Sequence, residues 1–368
     1  NGNFLAKFNT FFNFLNFLFS FALFSIFLLK SIKNAGTVAI TFIFLKEYNY
    51  IYITTVEFYF DNSLEIFKSQ MASDARLYYQ LYLDYEFTDF SLLAAANKNL
   101  IPPILQLYIF DGDMELLYFF FLTSLSIAIY YNLKYIQSNK KIFLLLVLVS
   151  PVVISDLYGP SKEMASYISI LFLLSYIISL KKLFLIFAIF FAFLTRFELV
   201  LVIVSFYLLR KIKYIKRKYI ILSLLILLSI IITFVDSRGV NHIKDASSTS
   251  SLGLISLFEY LESRGLYIIT FYFKAVLNLY EKLLAPDLSR LGGIFTTMSS
   301  VGFFILSFII LKKKNYKLDN DISFFIMIYL ILFCAGAYIQ HRYFVSLYPL
   351  FLYLAFNVKK NFKQRIDY

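Results

Sequence analysis

Residues 155–211 read SDLYGPSKEMASYISILFLLSYIISLKKLFLIFAIFFAFLTRFELVLVIVSFYLLRK, and this stretch decides the fold. A polar segment with Lys162 and Glu163 precedes an apolar run, which ends at two lysines. Two shorter apolar runs then flank Arg196. Helices satisfy their own backbone hydrogen bonds inside a bilayer, whereas charges at that depth are costly and are typical of functional sites. The stretch therefore predicts membrane helices built around a polar site.

The composition of the whole chain supports the same class. Of its 368 residues, 60% are hydrophobic and 16% are charged, whereas soluble domains carry about 25% charged residues. The net charge of +12 comes from short basic clusters beside apolar runs, the pattern that orients membrane proteins. We therefore expect an all-α, polytopic membrane protein with membrane lipids as partners and no nucleic acid. With only one cysteine and two histidines, the chain has too few ligands for a disulfide framework or a Cys or His metal centre. We also expect no cofactor.

Apolar runs predict about eleven spans in a single transmembrane domain, 1–368, with the N-terminus outside and the C-terminus inside. The first run lacks a small-residue cleavage site, so we expect a span and not a signal peptide. The sixth and seventh runs are too short for ordinary spans, so we predict half-helices that meet at Thr195 and Arg196 near the external face. The runs are Phe11–Leu29, Ala35–Ile53, Glu115–Leu133, Ile142–Ile154, Met164–Leu180, Leu183–Leu194, Phe197–Leu209, Tyr219–Val235, Ile294–Leu311, Ile322–Tyr338 and Tyr343–Phe356.

Two large external loops, 61–114 and 236–293, carry amphipathic patterns. In the first loop, apolar residues recur at spacings of three and four, which predicts a helix lying on the membrane surface. Those residues are Leu64, Phe67, Met71, Ala75, Tyr78 and Tyr82. Pro102 and Pro103 then predict a break in regular structure. The second loop predicts one amphipathic helix around Ile255–Leu284.

The external side collects charged residues that suit phosphate chemistry. Arginine binds phosphate through a planar, permanently charged fork, and a carboxylate or histidine beside it can accept a proton from a sugar hydroxyl. The set fits a reaction on a lipid-linked phosphate or diphosphate. Its members are Asp74, Arg76, Lys162, Glu163, Arg196, Glu198, Asp236, Arg238, Arg264, Arg290, His341 and Arg342.

Each candidate also has a structural interpretation. Arg196 and Glu198 would form an ion pair that closes a broken helix, and Lys162 with Glu163 would be a solvated loop end. His341 with Arg342 would anchor a span at the interface, and Asp74 with Arg76 would mark a solvated helix face. Asp111-Gly112-Asp113 fits either a divalent cation or a turn. These alternatives stay open on sequence alone.

Three patches resemble the Wzy-type polymerases of O-antigen and capsular polysaccharide. They are GPSKE at 159–163, LFLIFAIFFAFLTRFELVLVIV at 183–204 and HRYFVSLYPLFLYLAF at 341–356. The segment DARLYYQLY at 74–82 is similar to the early acidic element of the wider GT-C-like group of multi-spanning glycosyltransferases.

The resemblance implies a metal-independent enzyme of the bacterial inner membrane, with its active site facing the exterior. It would transfer a growing glycan from undecaprenyl diphosphate to a new lipid-linked repeat unit, together with a chain-length regulator protein. Glu163 is then the favoured base, with Asp74 and His341 as further catalytic candidates. The expected diphosphate and substrate ligands are Arg196, Arg342, Arg238, Lys162, Arg76, Arg264 and Arg290.

Two other functions stay open. The large first loop departs from the simplest polymerase layout, which leaves a glycosyltransferase that adds one sugar from a polyprenyl-phosphate donor. A flippase for lipid-linked oligosaccharide is the alternative of another class, although we find no internal repeat that would indicate a transporter.

Overall fold

The computed structural model describes residues 73–84, 100–136, 139–148, 150, 152–153, 156–157, 159–212, 214–236, 252–284, 286, 291–335 and 341–357. Every regular element in these ranges is helical, which confirms the all-α class. The helices are α1 (Ser73–Asp84), α2 (Ile101–Ile109), α3 (Met114–Tyr135), α4 (Lys140–Leu148), α5 (Lys162–Ser179), α6 (Lys182–Phe193), α7 (Phe197–Arg210), α8 (Arg217–Asp236), α9 (Leu252–Ser263), α10 (Tyr267–Leu284), α11 (Leu291–Lys312), α12 (Asp321–Cys334) and α13 (Tyr348–Asn357). Two 3₁₀ segments, His341–Tyr343 and Val345–Leu347, precede α13.

Two of the described helices are long and apolar enough to cross a membrane. They are Leu116–Tyr135 within α3 and Lys162–Ser179, which is α5. Shorter apolar helical segments are Lys182–Phe193, Thr297–Lys312, Asp321–Cys334 and Val345–Phe356. The first two predicted spans, Phe11–Leu29 and Ala35–Ile53, lie outside the described residues. The number of spans stays a prediction.

The predicted pair of short helices is confirmed by the bounds of α6 and α7. Helix α6 ends at Phe193 and α7 begins at Phe197. The Thr195 hydroxyl donates to the carbonyl oxygen of Ala192 at 2.8 Å, and the backbone N–H of Arg196 donates to the same oxygen at 3.0 Å. These two bonds satisfy a carbonyl at the helix end and place Arg196 immediately after α6.

The prediction that Pro102 and Pro103 interrupt regular structure is wrong. Both prolines lie in the first turn of α2. The first backbone N–H groups of a helix have no partner inside it, so the missing N–H of proline is tolerated there. The pair therefore begins a helix and does not exclude one.

The prediction of one continuous helix around Ile255–Leu284 is also wrong, because a turn at Gly265 separates α9 from α10. Gly265 has φ +79°, a left-handed conformation that favours glycine. Its N–H donates to Glu262 O at 2.9 Å, and the N–H of Leu266 donates to Leu261 O at 3.0 Å. This pair of bonds is a Schellman motif, which ends a helix.

The chain divides into two compact units. Unit 1 comprises Asn1–Arg196 and Asp287–Ser299, and unit 2 comprises Phe197–Pro286 and Ser300–Tyr368. The single transmembrane domain predicted from the sequence stays a prediction.

Helix α5 lies at the centre of unit 1, where it packs mainly against α3 and α6. A side-chain hydrogen bond ties it to each of three helices. Asn132 Nδ2 in α3 donates to Leu171 O at 2.8 Å, Ser169 Oγ donates to Ala188 O in α6 at 2.7 Å, and Tyr167 OH donates to Val147 O in α4 at 3.2 Å. Polar groups that find partners in an apolar core fix the register between helices, so the middle of α5 is held against all three neighbours.

Unit 2 contains a buried ion pair between α9 and α10. Lys274 Nζ lies 2.7 Å from Glu262 Oε1, and the two side chains are 1% and 5% exposed. Thr270 Oγ1 donates to the same carboxylate oxygen at 2.7 Å. The Gly265 turn folds α10 back so that these groups can meet. Removing one member of such a pair leaves an uncompensated charge in an apolar environment.

We predict that Lys274→Met lowers the free energy of unfolding by about 3–5 kcal/mol, because Glu262 is left buried without its cation. The double variant Lys274→Met/Glu262→Gln should lose clearly less than the sum of the two single variants. Thermal unfolding of the purified protein in detergent, followed by helical circular dichroism, measures the cycle. Additive single effects would show that the two charges are not coupled.

Candidate functional site

The N-terminal end of α5 carries the polar residues that the sequence singles out. Ser161 is the N-cap residue, with an extended backbone, and its hydroxyl accepts a hydrogen bond from the N–H of Met164 at 3.0 Å. Lys162 and Glu163 follow in the first turn. An acidic residue in the first turn complements the positive end of the helix dipole. The cap therefore sets where both side chains leave the helix.

Gln106, a buried residue of α2, joins this helix end to the segment before Arg196. Its Nε2 donates to Leu194 O at 2.7 Å, and its Oε1 accepts from the N–H of Ser161 at 3.2 Å. The side chain is 1% exposed. One amide thus bonds two backbone positions that are 33 residues apart in sequence (194 − 161). The start of α5 and the end of α6 are held together by it.

As a result, Arg196 comes close to Glu163 in the first turn of α5. Arg196 Nη2 is 3.8 Å from Glu163 Oε1, and the two side chains are 12% and 21% exposed. Lys162 is buried, and its Nζ lies 5.1 Å from the centre of the Tyr78 ring of α1. The structure brings together two of the predicted site residues, Arg196 and Glu163, whereas a common site with Lys162 and the chemical roles stay predictions.

This arrangement is suited to an anion. The Arg196 guanidinium lies at the N-terminal end of an 18-residue helix, where the helix dipole is positive and N–H groups point outward. The Glu163–Arg196 separation of 3.8 Å is longer than a direct hydrogen bond.

The Asp111-Gly112-Asp113 segment is a turn between α2 and α3. Asp111 and Gly112 both have positive φ, of 51° and 73°. Asp113 Oδ1 accepts a hydrogen bond from the N–H of Leu116 at 3.0 Å, as an N-cap residue does. Tyr82 OH donates to Asp111 Oδ1 at 3.4 Å. The turn interpretation thus accounts for both aspartates. In the described part of the chain, no group of three His, Cys, Asp or Glu residues could hold a metal ion.

His341 lies in unit 2 within its own buried network. Its Nδ1 is 2.8 Å from the carbonyl oxygen of Asn278, so Nδ1 carries the proton and donates it. Ser300 Oγ is 3.4 Å from each ring nitrogen. Burial is the main influence on the imidazole and lowers its pKa below the ordinary value, while the bond to Asn278 acts in the opposite direction. The histidine is therefore neutral near pH 7, with Nε2 as its acceptor nitrogen.

For the other predicted site residues, the structure gives a local contact or the position of the backbone. Arg264, in the Schellman turn of unit 2, is exposed, and its guanidinium lies 5.4 Å from the centre of the Tyr260 ring. Asp74 and Arg76 have their backbone in α1, and Arg342 has its backbone in the first 3₁₀ segment. The side chains of these three residues, and the whole of Arg238 and Arg290, lie outside the described part.

Sequence reasoning did not find several residues that organise the polar sites. Gln106 is one polar residue in the apolar sequence IPPILQLYI, which is a weak signal by itself. Lys274 and Asn278 give a clearer sequence signal, since they follow Thr270 at intervals of four on the buried face of α10. A polar side chain at helical spacing among core positions must find a partner, and this rule predicts a buried network.

Comparison with known proteins adds no relative, since the chain matches no protein family, no characterised protein and no solved structure.

We predict that Gln106→Leu destabilises the protein by about 1–3 kcal/mol, because Leu194 O and the Ser161 N–H lose a buried partner. The same variant should weaken the binding of inorganic pyrophosphate, because Arg196 and Lys162 lose their common support. Asn132→Leu is the matched control, since it removes a buried amide of α3 that bonds to α5 elsewhere, at Leu171 O. Calorimetric titration with pyrophosphate separates the two variants, and equal affinity in both would contradict the role of Gln106.

We predict that His341 makes the free energy of unfolding depend on pH. Its contribution is complete above about 6.5, the ordinary pKa of histidine, and is lost as the pH falls from there towards the lower pKa of the folded state. In that window the unfolded chain takes up a proton that the buried imidazole does not. Unfolding temperatures measured from neutral to mildly acidic pH should decline less steeply in His341→Gln. Replacing the other histidine, His242→Gln, should keep the decline, and an unchanged slope in His341→Gln would exclude this linkage.

Proposed function

We propose that this protein is a polytopic membrane glycosyltransferase that polymerises lipid-linked oligosaccharide repeat units at the outer face of a bacterial inner membrane. The observation that carries the proposal is the ion pair of Arg196 with Glu163 at the N-terminal end of a helix long enough to span a bilayer. The proposal includes about eleven spans, with the N-terminus outside, and an undecaprenyl-diphosphate-linked glycan as donor.

The membrane placement is supported by two helices of spanning length and by the shorter apolar helices around them. Basic residues directly after α3 and α5 and at the end of α11 would face the cytoplasm, following the rule for inner-membrane proteins. With that orientation, the N-terminal end of α5 faces the exterior. Lys162 and Glu163 then lie on the side of the membrane where repeat units are joined.

The site suits a diphosphate for electrostatic reasons. Arg196 supplies a permanently charged group, Lys162 is a second basic group in the first turn of α5, and the helix adds its dipole. In an environment with little water, these charges stabilise a leaving group more strongly than they would in bulk solvent. Arg342, Arg238, Arg76, Arg264 and Arg290 are further ligands proposed from the sequence.

In the proposed reaction, the hydroxyl oxygen of the acceptor sugar forms a bond with the anomeric carbon of the donor glycan. The bond between that carbon and the diphosphate oxygen breaks, and its electron pair leaves with undecaprenyl diphosphate. Arg196 and Lys162 stabilise the charge that develops there. Glu163 accepts the proton of the acceptor hydroxyl, once Arg196 has exchanged the carboxylate for the diphosphate.

Asp74 and His341 are the alternative bases. Helix α1 places Tyr78 against Lys162, and Asp74 lies one turn earlier in the same helix. His341 has the neutral imidazole that a base requires, in unit 2. Glu163 is preferred because its carboxylate lies 3.8 Å from Arg196, the proposed diphosphate ligand.

The test is reconstitution of the purified protein with undecaprenyl-diphosphate-linked repeat units, with the products resolved by length on a gel. Arg196→Ala should reduce the rate of ladder formation by about 100-fold or more, the usual effect of removing one donor that stabilises a developing negative charge. Lys182→Ala, at the opposite end of α6, is the control and should keep the ladder. Arg196→Lys should retain part of the activity, because it keeps the charge and loses the fork.

The competing functions give different products. Addition of one sugar from a polyprenyl-phosphate donor would identify a single-transfer enzyme, and movement of the lipid across the bilayer without a new product would identify a flippase. A folded Arg196→Ala variant with the full rate would exclude Arg196 from the site. Thermal unfolding of each variant shows whether a loss of activity reflects loss of structure.

A further inference from the structure

Two basic segments of unit 2 lie next to each other although they are about 100 residues apart in sequence. The first, RKIKYIKRK at 210–218, joins α7 to α8, and the second, KKKNYKLDND at 312–321, joins α11 to α12. Together they contain ten lysines and arginines and two aspartates. We call their combined exposed surface the basic surface.

One aspartate holds the two segments together. Asp321 Oδ2 lies 2.6 Å from Arg210 Nη2, and its Oδ1 is paired with Arg217 Nη2. Arg217 Nη1 also donates to Leu318 O at 3.2 Å and to Asp319 O at 2.8 Å. Two arginines of the first segment therefore hold Asp321 of the second. The two arginines compensate the negative charge of Asp321, so this charge does not neutralise the lysines around it.

The lysines of the basic surface point into solvent. Lys211, Lys216, Lys218, Lys312, Lys314 and Lys317 are all exposed, and Asp319 is the exposed acidic residue among them. Like charges gathered in this way repel one another unless counter-charges are present. Nothing within the two segments supplies enough negative charge, so an anionic partner would stabilise their arrangement.

Exposed apolar side chains alternate with these lysines. Tyr214 is 102% exposed, Tyr316 is 55% exposed and Ile215 is 49% exposed. A soluble anion would gain nothing from such side chains, whereas the boundary of a bilayer accommodates tyrosine and isoleucine beneath the headgroups. Exposed leucines at the neighbouring helix ends, Leu208 and Leu311, continue the apolar border. The combination favours a lipid surface over a dissolved phosphate compound.

We propose that the basic surface binds the headgroups of anionic phospholipids. Lysines from both segments contact the phosphates, Tyr214, Ile215 and Tyr316 enter the interfacial region, and Asp321 fixes the two segments at the spacing that lets them act together. The proposal rests on the membrane placement of the proposed function, but it needs neither the glycan substrate nor the Arg196 site. Positively charged segments next to a membrane attract anionic lipid in this way.

The test uses the full chain in mixed detergent micelles of three parts phosphatidylcholine and one part phosphatidylglycerol, without any glycan. After repurification, mass spectrometry of the bound lipid gives the enrichment of phosphatidylglycerol. We expect clear enrichment with the unmodified protein and a loss of at least about fivefold in a variant with Lys211, Lys216, Lys218, Lys314 and Lys317 changed to Gln, since one lysine alone corresponds to about that factor. Retained enrichment in this variant would overturn the proposal.

A matched control changes five lysines of unit 1 to Gln, namely Lys134, Lys140, Lys141, Lys181 and Lys182. It has the same net charge as the first variant and should keep the enrichment. Equal losses in both would mean that overall charge attracts the lipid and that the basic surface has no special role. Raising the salt should also reduce the enrichment, because the screening length shrinks from about 10 Å at 0.1 M to about 3 Å at 1 M.

Asp321→Asn tests the spacing separately. The variant gains one positive charge, so attraction by charge alone predicts more bound phosphatidylglycerol. If the spacing of the two segments matters, loss of the common partner of Arg210 and Arg217 lowers the amount of bound phosphatidylglycerol, and this is the result we expect. Circular dichroism checks that the helical content is unchanged. Addition of inorganic phosphate at constant ionic strength should leave the enrichment unchanged, and displacement of the lipid by phosphate would identify a site for a soluble anion.

Discussion

The buried amide of Gln106 is the interaction on which the candidate site depends. An amide in an apolar core must use its donors and acceptor, and the partners available here are backbone groups of Ser161 and Leu194. These two positions lie close in sequence to the charged residues of the candidate site. Lys162 and Glu163 follow Ser161, and Arg196 follows Leu194 by two residues. A single side chain that touches no charge thus determines which charges come together.

The same requirement shapes unit 2, with different groups. Lys274 and Glu262 lie in the interior and satisfy each other, with Thr270 as a third partner. Buried ion pairs add little net stability compared with apolar residues of the same shape, but they strongly disfavour any arrangement in which one member is unpaired. The pair therefore disfavours any packing of α9 against α10 that would separate Lys274 from Glu262.

The start of α5 and the surroundings of Asp321 use charge in different ways. At the start of α5, cations and a carboxylate lie partly buried and few in number, which suits a defined ligand held by direct contacts. Around Asp321, exposed lysines surround one carboxylate shared by two arginines, which suits many weak contacts with a surface. The first arrangement depends on exact placement and resists screening by salt, whereas the second depends on charge density and is screened readily.

The sequence by itself determined the all-helical class, the break between α6 and α7, and the polar start of α5. Periodicity, length of apolar runs and helix-ending signals act locally, so they can be read from neighbouring residues. Only the tertiary structure decided that Pro102 and Pro103 begin a helix, that Gly265 divides a long amphipathic segment, and that Gln106 and Asp321 each join segments remote in sequence. Such partners are selected by the need to satisfy buried polar groups after the helices pack, and that need depends on neighbours that a linear pattern does not contain.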